Sequence, residues 1–173
     1  MDDIEVLEVE DSKMYQEYYG KILKYLDKTK EKDSLLIEFH FENNTCQSKI
    51  IRQEQNNPTP IIIYQSFTEL EEVKKHIIIP LIKTYLGKYK VLINKIYPTA
   101  KKESMLKLMG GENTSLNIIG LEQDQLEEFY LLVKEEQEKR KKENGISNTI
   151  ALGISLIVVG IILMLMAVPN LVK

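Results

Sequence analysis

Residues 61–97 read IIIYQSFTELEEVKKHIIIPLIKTYLGKYKVLINKIY, and this stretch decides the fold class. Ile61-Ile62-Ile63-Tyr64 is a β-branched and aromatic run of the kind that suits a pleated surface. Ser66-Phe67-Thr68-Glu69 has the form of a capping box, with the Ser66 side chain accepting from the Glu69 amide and Glu69 reaching back. Leu70, Val73, Ile77, Leu81 and Tyr85 then recur at helical spacing. Gly87 is placed to end that helix. A second strand follows over residues 89–97. Strand, helix and strand within about 37 residues predict a right-handed βαβ unit with parallel strands. Pro80 lacks the N–H that a helix interior needs, so a break or bend is expected near His76–Pro80.

Towards the N-terminus, residues 35–41 (LLIEFHF) alternate. Leu35, Ile37, Phe39 and Phe41 share one face of a strand, and Glu38 and His40 share the other. Asn43-Asn44 is a turn that tolerates positive φ, and residues 48–53 return as a hairpin partner. Pro58 and Pro60 make residues 55–60 a loop. Further upstream, Tyr15, Tyr18, Tyr19, Ile22 and Leu26 form a helical stripe, with Asp11 or Ser12 as N-cap. The alternation of Ile4, Val6 and Val9 among acids suggests a short strand or an acidic arm for residues 1–10.

Towards the C-terminus, residues 99–109 are expected as a short helix stopped by Gly110-Gly111, and residues 116–119 as a short strand. A helix from Leu121 carries Leu126, Phe129, Tyr130 and Val133. After Val133 the apolar positions stop, and residues 134–144 (KEEQEKRKKEN) are entirely polar. They read as a solvated helical stalk with Glu135–Lys139 and Glu138–Lys142 at i,i+4 spacing. Gly145 is the expected flexible joint. The fold class is therefore α+β: a small mixed sheet with a βαβ unit packed by helices, then a charged helical stalk and one C-terminal transmembrane helix. The domains are residues 1–133, the stalk 134–145, the span 146–168 and a short tail 169–173.

The span is set by charge. Lys and Arg number 23 and Asp and Glu 26, and all but Lys173 lie within residues 1–145. Residues 146–168 (ISNTIALGISLIVVGIILMLMAV) carry none. A helix of that length covers roughly 35 Å, more than the ~30 Å of a bilayer core. Lys139, Arg140, Lys141 and Lys142 precede it, which places the N-terminal domain on the cytoplasmic side. The acidic start MDDIEVLEVED has no continuous apolar stretch and does not read as a signal peptide. The expected topology is a single-pass tail anchor. Gly153, Gly160 and Ala167 recur every seven residues on one stripe, where small residues permit close helix packing in lipid.

No nucleotide-binding, zinc-protease or serine-hydrolase motif occurs. Met109-Gly110-Gly111 reads as a turn. Glu72 and His76 are spaced to face one another, but two histidines are too few for a His-rich metal site, so no metal or cofactor is expected. Cys46, the single cysteine, is expected as a free thiol in a polar turn. Residues 1–12 hold six acids, whereas residues 83–107 hold seven lysines (Lys83, Lys88, Lys90, Lys95, Lys101, Lys102, Lys107) and one acid, Glu103. Those lysines are the candidate contact with anionic head groups or an acidic protein. Scarce arginine and a formal net charge of −3 argue against nucleic acid. The leading reading is a non-enzymatic interaction or scaffolding module at the membrane surface, held by the lipid bilayer and by a protein partner or a second copy. Two alternatives are a small membrane-bound enzyme with a site at the carboxyl ends of the parallel strands, and a viral or phage membrane factor.

Overall fold

The computed structural model describes the backbone of residues 2–167 and the side chains of residues 12–164. Helix α1 (Asp2–Lys28) leads into strands β1 (Ser34–Glu42), β2 (Thr45–Gln53) and β3 (Ile61–Phe67). A helical segment follows in three parts: α2 (Leu70–Val73), a π turn (Lys74–Ile78) and α3 (Ile79–Lys88). Strands β4 (Val91–Ile96), β5 (Met105–Gly110) and β6 (Thr114–Ile119) precede the long helix α4 (Gln123–Ala167). The chain divides into two compact units, residues 1–134 and 135–173. The tail 169–173 lies outside the described residues.

The six strands form one mixed sheet in the order β3-β2-β1-β6-β5-β4. β1 and β6 pair in parallel at its centre, and the other four pairings are antiparallel. The expected strand–helix–strand unit is present, and β3 and β4 run in the same direction. They occupy opposite edges rather than adjacent positions. Each takes its ladder from the hairpin it belongs to, and so the connecting helices cross the whole sheet.

The alternation in β1 sets the layers. Leu35, Ile37, Phe39 and Phe41 are buried, as are Cys46 and Ile50 of β2, Leu106 and Leu108 of β5, and Leu116 and Ile118 of β6. Each fully buried aliphatic chain contributes about 1.5–3 kcal/mol. Against them pack Tyr15, Tyr18, Ile22 and Leu26 of α1, Ile77, Leu81 and Tyr85 of the middle segment, and Leu126, Phe129 and Val133 of α4. Specific contacts fix the side of each helix. The Tyr18 hydroxyl donates to Ser48 at 2.8 Å, and Tyr15 stacks on Phe67 with ring centroids 5.6 Å apart. The Gly110 amide donates to the Tyr85 hydroxyl at 3.0 Å. Lys95 reaches Glu127 of α4 at 2.8 Å. Ser48, Phe67, Gly110 and Lys95 all lie on one face of the sheet, so all three helices cover that face.

Several local expectations are corrected. Residues 99–109 are not a helix. They form a turn and then β5, because Leu106 and Leu108 alternate into the core while Met105, Lys107 and Met109 face away. The capping box does not form. Ser66 belongs to β3 and donates to Gln47 at 2.7 Å, and α2 begins after Glu69 without a side-chain cap. Gly87 lies inside α3, whose C-cap is Tyr89. Residues 2–10 are neither strand nor loose arm, since α1 already begins at Asp2. Cys46 is buried in β2 rather than set in a polar turn, and burial pushes its thiol up to about 12. The break expected near His76–Pro80 takes the form of the π turn, which widens the ladder just ahead of a residue with no N–H to give. Asn43 and Asn44 make the β1–β2 turn with φ of 48° and 59°, as their side chains allow. Gly120 adopts φ of 81°, and a Cβ there would lie 2.1 Å from the Phe41 carbonyl oxygen.

Candidate functional site

The sheet face away from the helices is the notable surface of the domain. Strand register arranges its side chains in three rows. The first runs Ile62, Ile51, Leu36, Ser115, Met109 and Leu92 across all six strands. It is apolar except for Ser115. Five strand spacings make it about 24 Å long. Ile62 is 47% and Leu92 69% exposed, at opposite ends. The second row runs Tyr64, Lys49, Glu38, Asn117, Lys107 and Asn94. Lys49 lies 6.0 Å from the Tyr64 ring centroid, and Asn117 donates to Glu38 at 3.5 Å. Asn117 is 8% exposed, and its side-chain oxygen has no hydrogen-bond partner. The third row runs Ser66, Gln47, His40, Ile119, Met105 and Ile96. Among the described residues of the domain, no helix packs on this face.

Where β1 and β6 end, an open cleft of about 470 Å³ lies against Phe41, Glu103, Ser104, Gly120, Leu121 and the turn 98–102. It stands at the carboxyl ends of the parallel pair, where the enzyme alternative would look. His40 and Glu103 pair at its edge at 3.0 Å. Ser104 is buried and its hydroxyl donates to the Leu121 carbonyl, while Thr99 accepts from the amides of Lys101 and Lys102 at 3.3 and 3.1 Å. The Ser104 hydroxyl is thus committed as donor to the backbone, and the Thr99 oxygen as acceptor from it. Among the described residues, no group of three or more His, Cys, Asp or Glu side chains is placed to hold a metal ion. Glu72 and His76 pair at 2.9 Å, and the His76 ring stacks on Tyr15.

The seven lysines of residues 83–107 fall on two sides of the sheet. Lys107 stands in the middle row of the uncovered face. Lys95 is on the helix side, 3.8 Å from the Tyr130 ring centroid and paired with Glu127. That pairing, with the Tyr97 hydroxyl also on Glu127, raises the Lys95 pKa and lowers that of Glu127. Lys88 donates to the Leu26 carbonyl and lies 3.9 Å from Asp27. Lys83 and Lys90 are exposed, and Lys101 and Lys102 sit together at the cleft mouth. Lys95 and Lys107 thus lie on opposite sides of the sheet, and Lys101 and Lys102 both line the cleft.

In α4, Arg140 pairs with Glu136 at 3.0 Å and Lys141 with Glu138 at 3.3 Å, while Lys139 and Lys142 are exposed. Glu138 thus takes Lys141 rather than the expected Lys142. The apolar part of α4 is long and apolar enough to cross a membrane. A Cβ at Gly153 or Gly160 would meet nothing within 4 Å. The Ala167 side chain lies outside the described residues.

No family, curated protein or solved structure matches this chain. Its reading rests on geometry. The uncovered face was the feature that sequence reasoning missed. Its signal was present as paired apolar neighbours (Leu35-Leu36, Ile50-Ile51, Ile61-Ile62), which put one apolar chain on each side of the sheet.

Proposed function

We propose that the protein is a single-pass, membrane-anchored interaction module. Its α+β domain faces the cytoplasm and takes a protein partner on the uncovered sheet face. The observation that carries this reading is the apolar row from Ile62 to Leu92, open to solvent at both ends. Contiguous exposed apolar surface of this kind marks interaction sites. An amphipathic helix of about 16 residues matches a row of ~24 Å, and helices already cover the opposite side of the same sheet. Lys101 and Lys102 supply a secondary contact to anionic head groups, and Gly153, Gly160 and Ala167 a packing stripe within the bilayer. Lys139, Arg140, Lys141 and Lys142 support the cytoplasmic placement of the domain.

The test is a photo-crosslinker placed at Met109 or Leu92 in the full chain, read in native membranes, with the same probe at exposed Lys24 on the helix side as control. A discrete adduct from the two face positions, absent from Lys24 and reduced at least tenfold by Leu36→Lys, is the expected result. Equal labelling from both sides would overturn the assignment of the face. Release of the chain by alkaline extraction of the membranes would overturn the anchor.

A further inference from the structure

Strand β3 is an edge of the sheet, and among the described residues no strand pairs with its outer side. β2 satisfies only its inner side, and among the β3 backbone groups the Ser66 carbonyl also accepts from the Gln65 side chain at 3.5 Å. Soluble proteins blunt such edges with lysine, proline, a bulge or a covering segment. Within the strand itself β3 has none of the first three, although Pro60 directly precedes it. Its seven residues (IIIYQSF) contain no charge and no proline, and each residue from Ile61 to Phe67 pairs one-to-one with β2. The neutral run is longer than the strand, since residues 55–68 carry no Asp, Glu, Lys or Arg in a chain that is 28% charged. Apolar chains project on both sides: Ile61 (42% exposed) and Ile63 towards the helices, Ile62 and Tyr64 (66% exposed) towards the uncovered face. The opposite edge, β4, is treated differently. It carries Lys95, follows Lys90, and is shielded on one side by the Glu127 and Tyr130 contacts of α4.

We infer that β3 is a self-association edge, where two copies of this chain pair their β3 strands antiparallel about a two-fold axis. The occupant is a second copy for three reasons. An antiparallel edge is complementary to itself, because each strand offers the donors and acceptors that its twin lacks. Two identical strands repel when they carry charge, and this one carries none. An apolar span of the kind in α4, if inserted, confines copies to a plane, which raises their effective concentration without a new contact. The two-fold lies perpendicular to the sheet, so the helices of both copies stay on one side. The two uncovered faces then join into one continuous surface of twelve strands. The inference goes beyond the partner-binding face and does not depend on it.

The test uses the full chain in phosphatidylcholine vesicles, with single cysteines introduced at Ile62, Ile63, Tyr64 and Gln65 and mild oxidation. Native Cys46 is buried and serves as the unreactive background. Disulfide dimers should peak at one position near Tyr64 and fall on either side, as two-fold pairing requires. In the chain without added cysteines, Ile61→Lys with Gln65→Lys should weaken self-association at least tenfold, read by energy transfer between labelled copies. Both changes are on the helix side of the sheet and leave the uncovered row intact, whereas Leu92→Lys should leave self-association unchanged. Uniform crosslinking at all four positions, a monomer at all lipid dilutions, or association that survives Ile61→Lys with Gln65→Lys but fails on Gly153→Leu with Gly160→Leu would each overturn the inference. The last result would assign the contact to the span.

Discussion

Asp33 ties three segments of chain to one another. Its carboxylate accepts from the Lys30 amide at 3.0 Å and the Gln55 amide at 3.2 Å, and it pairs with Arg52 at 3.3 Å. Arg52 continues to the Lys28 carbonyl, at the end of α1, and to Glu54. The Lys30 amide, and after it the Gln55 amide and Arg52, hold the Asp33 carboxyl below its ordinary value against the opposing effect of burial. A carboxyl held low in the folded state adds stability that is fully present above its unfolded pKa, about 3.9. That stability is lost as pH falls through the lowered folded value. Asp33→Asn should therefore lower the melting temperature at pH 7, and the gap to the parent should close as pH is taken below about 4. A gap that stays constant through the acid range would show that packing, not the charge, is what Asp33 supplies. None of this was legible in the sequence, where Asp33 and Arg52 are separated by a whole hairpin and no local pattern joins them.

At the scale of elements, a polar contact in an apolar layer pins the middle helical segment to the sheet. The Gly110 amide donates to the Tyr85 hydroxyl, and burial raises the Tyr85 pKa, which keeps the phenol neutral. Position 110 must be glycine for this fit, since a Cβ would lie 2.6 Å from the Tyr89 ring and 2.8 Å from the Tyr85 oxygen. Tyr85→Phe leaves a buried amide without its partner and should cost about 1–3 kcal/mol, measured by urea denaturation with an unchanged m-value. A loss under a few tenths would mean that water or a shifted loop replaces the hydroxyl. The same pair of elements shows where sequence reading works. β1 and β2 were legible because a strict period of two is read directly off Leu35, Ile37, Phe39 and Phe41. The start of α4 was legible because Leu126, Phe129 and Val133 keep helical spacing, whereas the joint expected at Gly145 is absent, since the helix runs unbroken from Gln123 to Ala167. β5 was misread because Met105, Leu106, Leu108 and Met109 sit at helix-like intervals and are strong helix formers, and only the neighbouring strands decide the matter. The separation of β3 and β4 to opposite edges is likewise set by non-local pairing. The uncovered face of the sheet could be seen only once all six registers were known.

For the whole molecule, the deciding question is which side of the membrane the domain occupies, and the chain carries its own reporter. Asn43-Asn44-Thr45 and Asn113-Thr114-Ser115 both match the acceptor pattern for N-linked glycosylation. Asn43 and Asn113 are exposed in turns at the same sheet, one after β1 and one before β6. If Lys139, Arg140, Lys141 and Lys142 hold the domain in the cytoplasm, as the positive-inside rule requires, neither site meets the glycosylation machinery. The full chain expressed in a eukaryotic cell should then migrate identically with and without glycosidase. Replacing the four basic residues with Gln and adding basic residues after Lys173 reverses the charge asymmetry. That variant should acquire glycosidase-sensitive bands at Asn43, at Asn113 or at both, which Asn43→Gln with Asn113→Gln removes. Glycosylation of the unaltered chain would place the domain on the far side, remove the cytoplasmic leaflet as the target of Lys101 and Lys102, and move the search for a partner to the lumen.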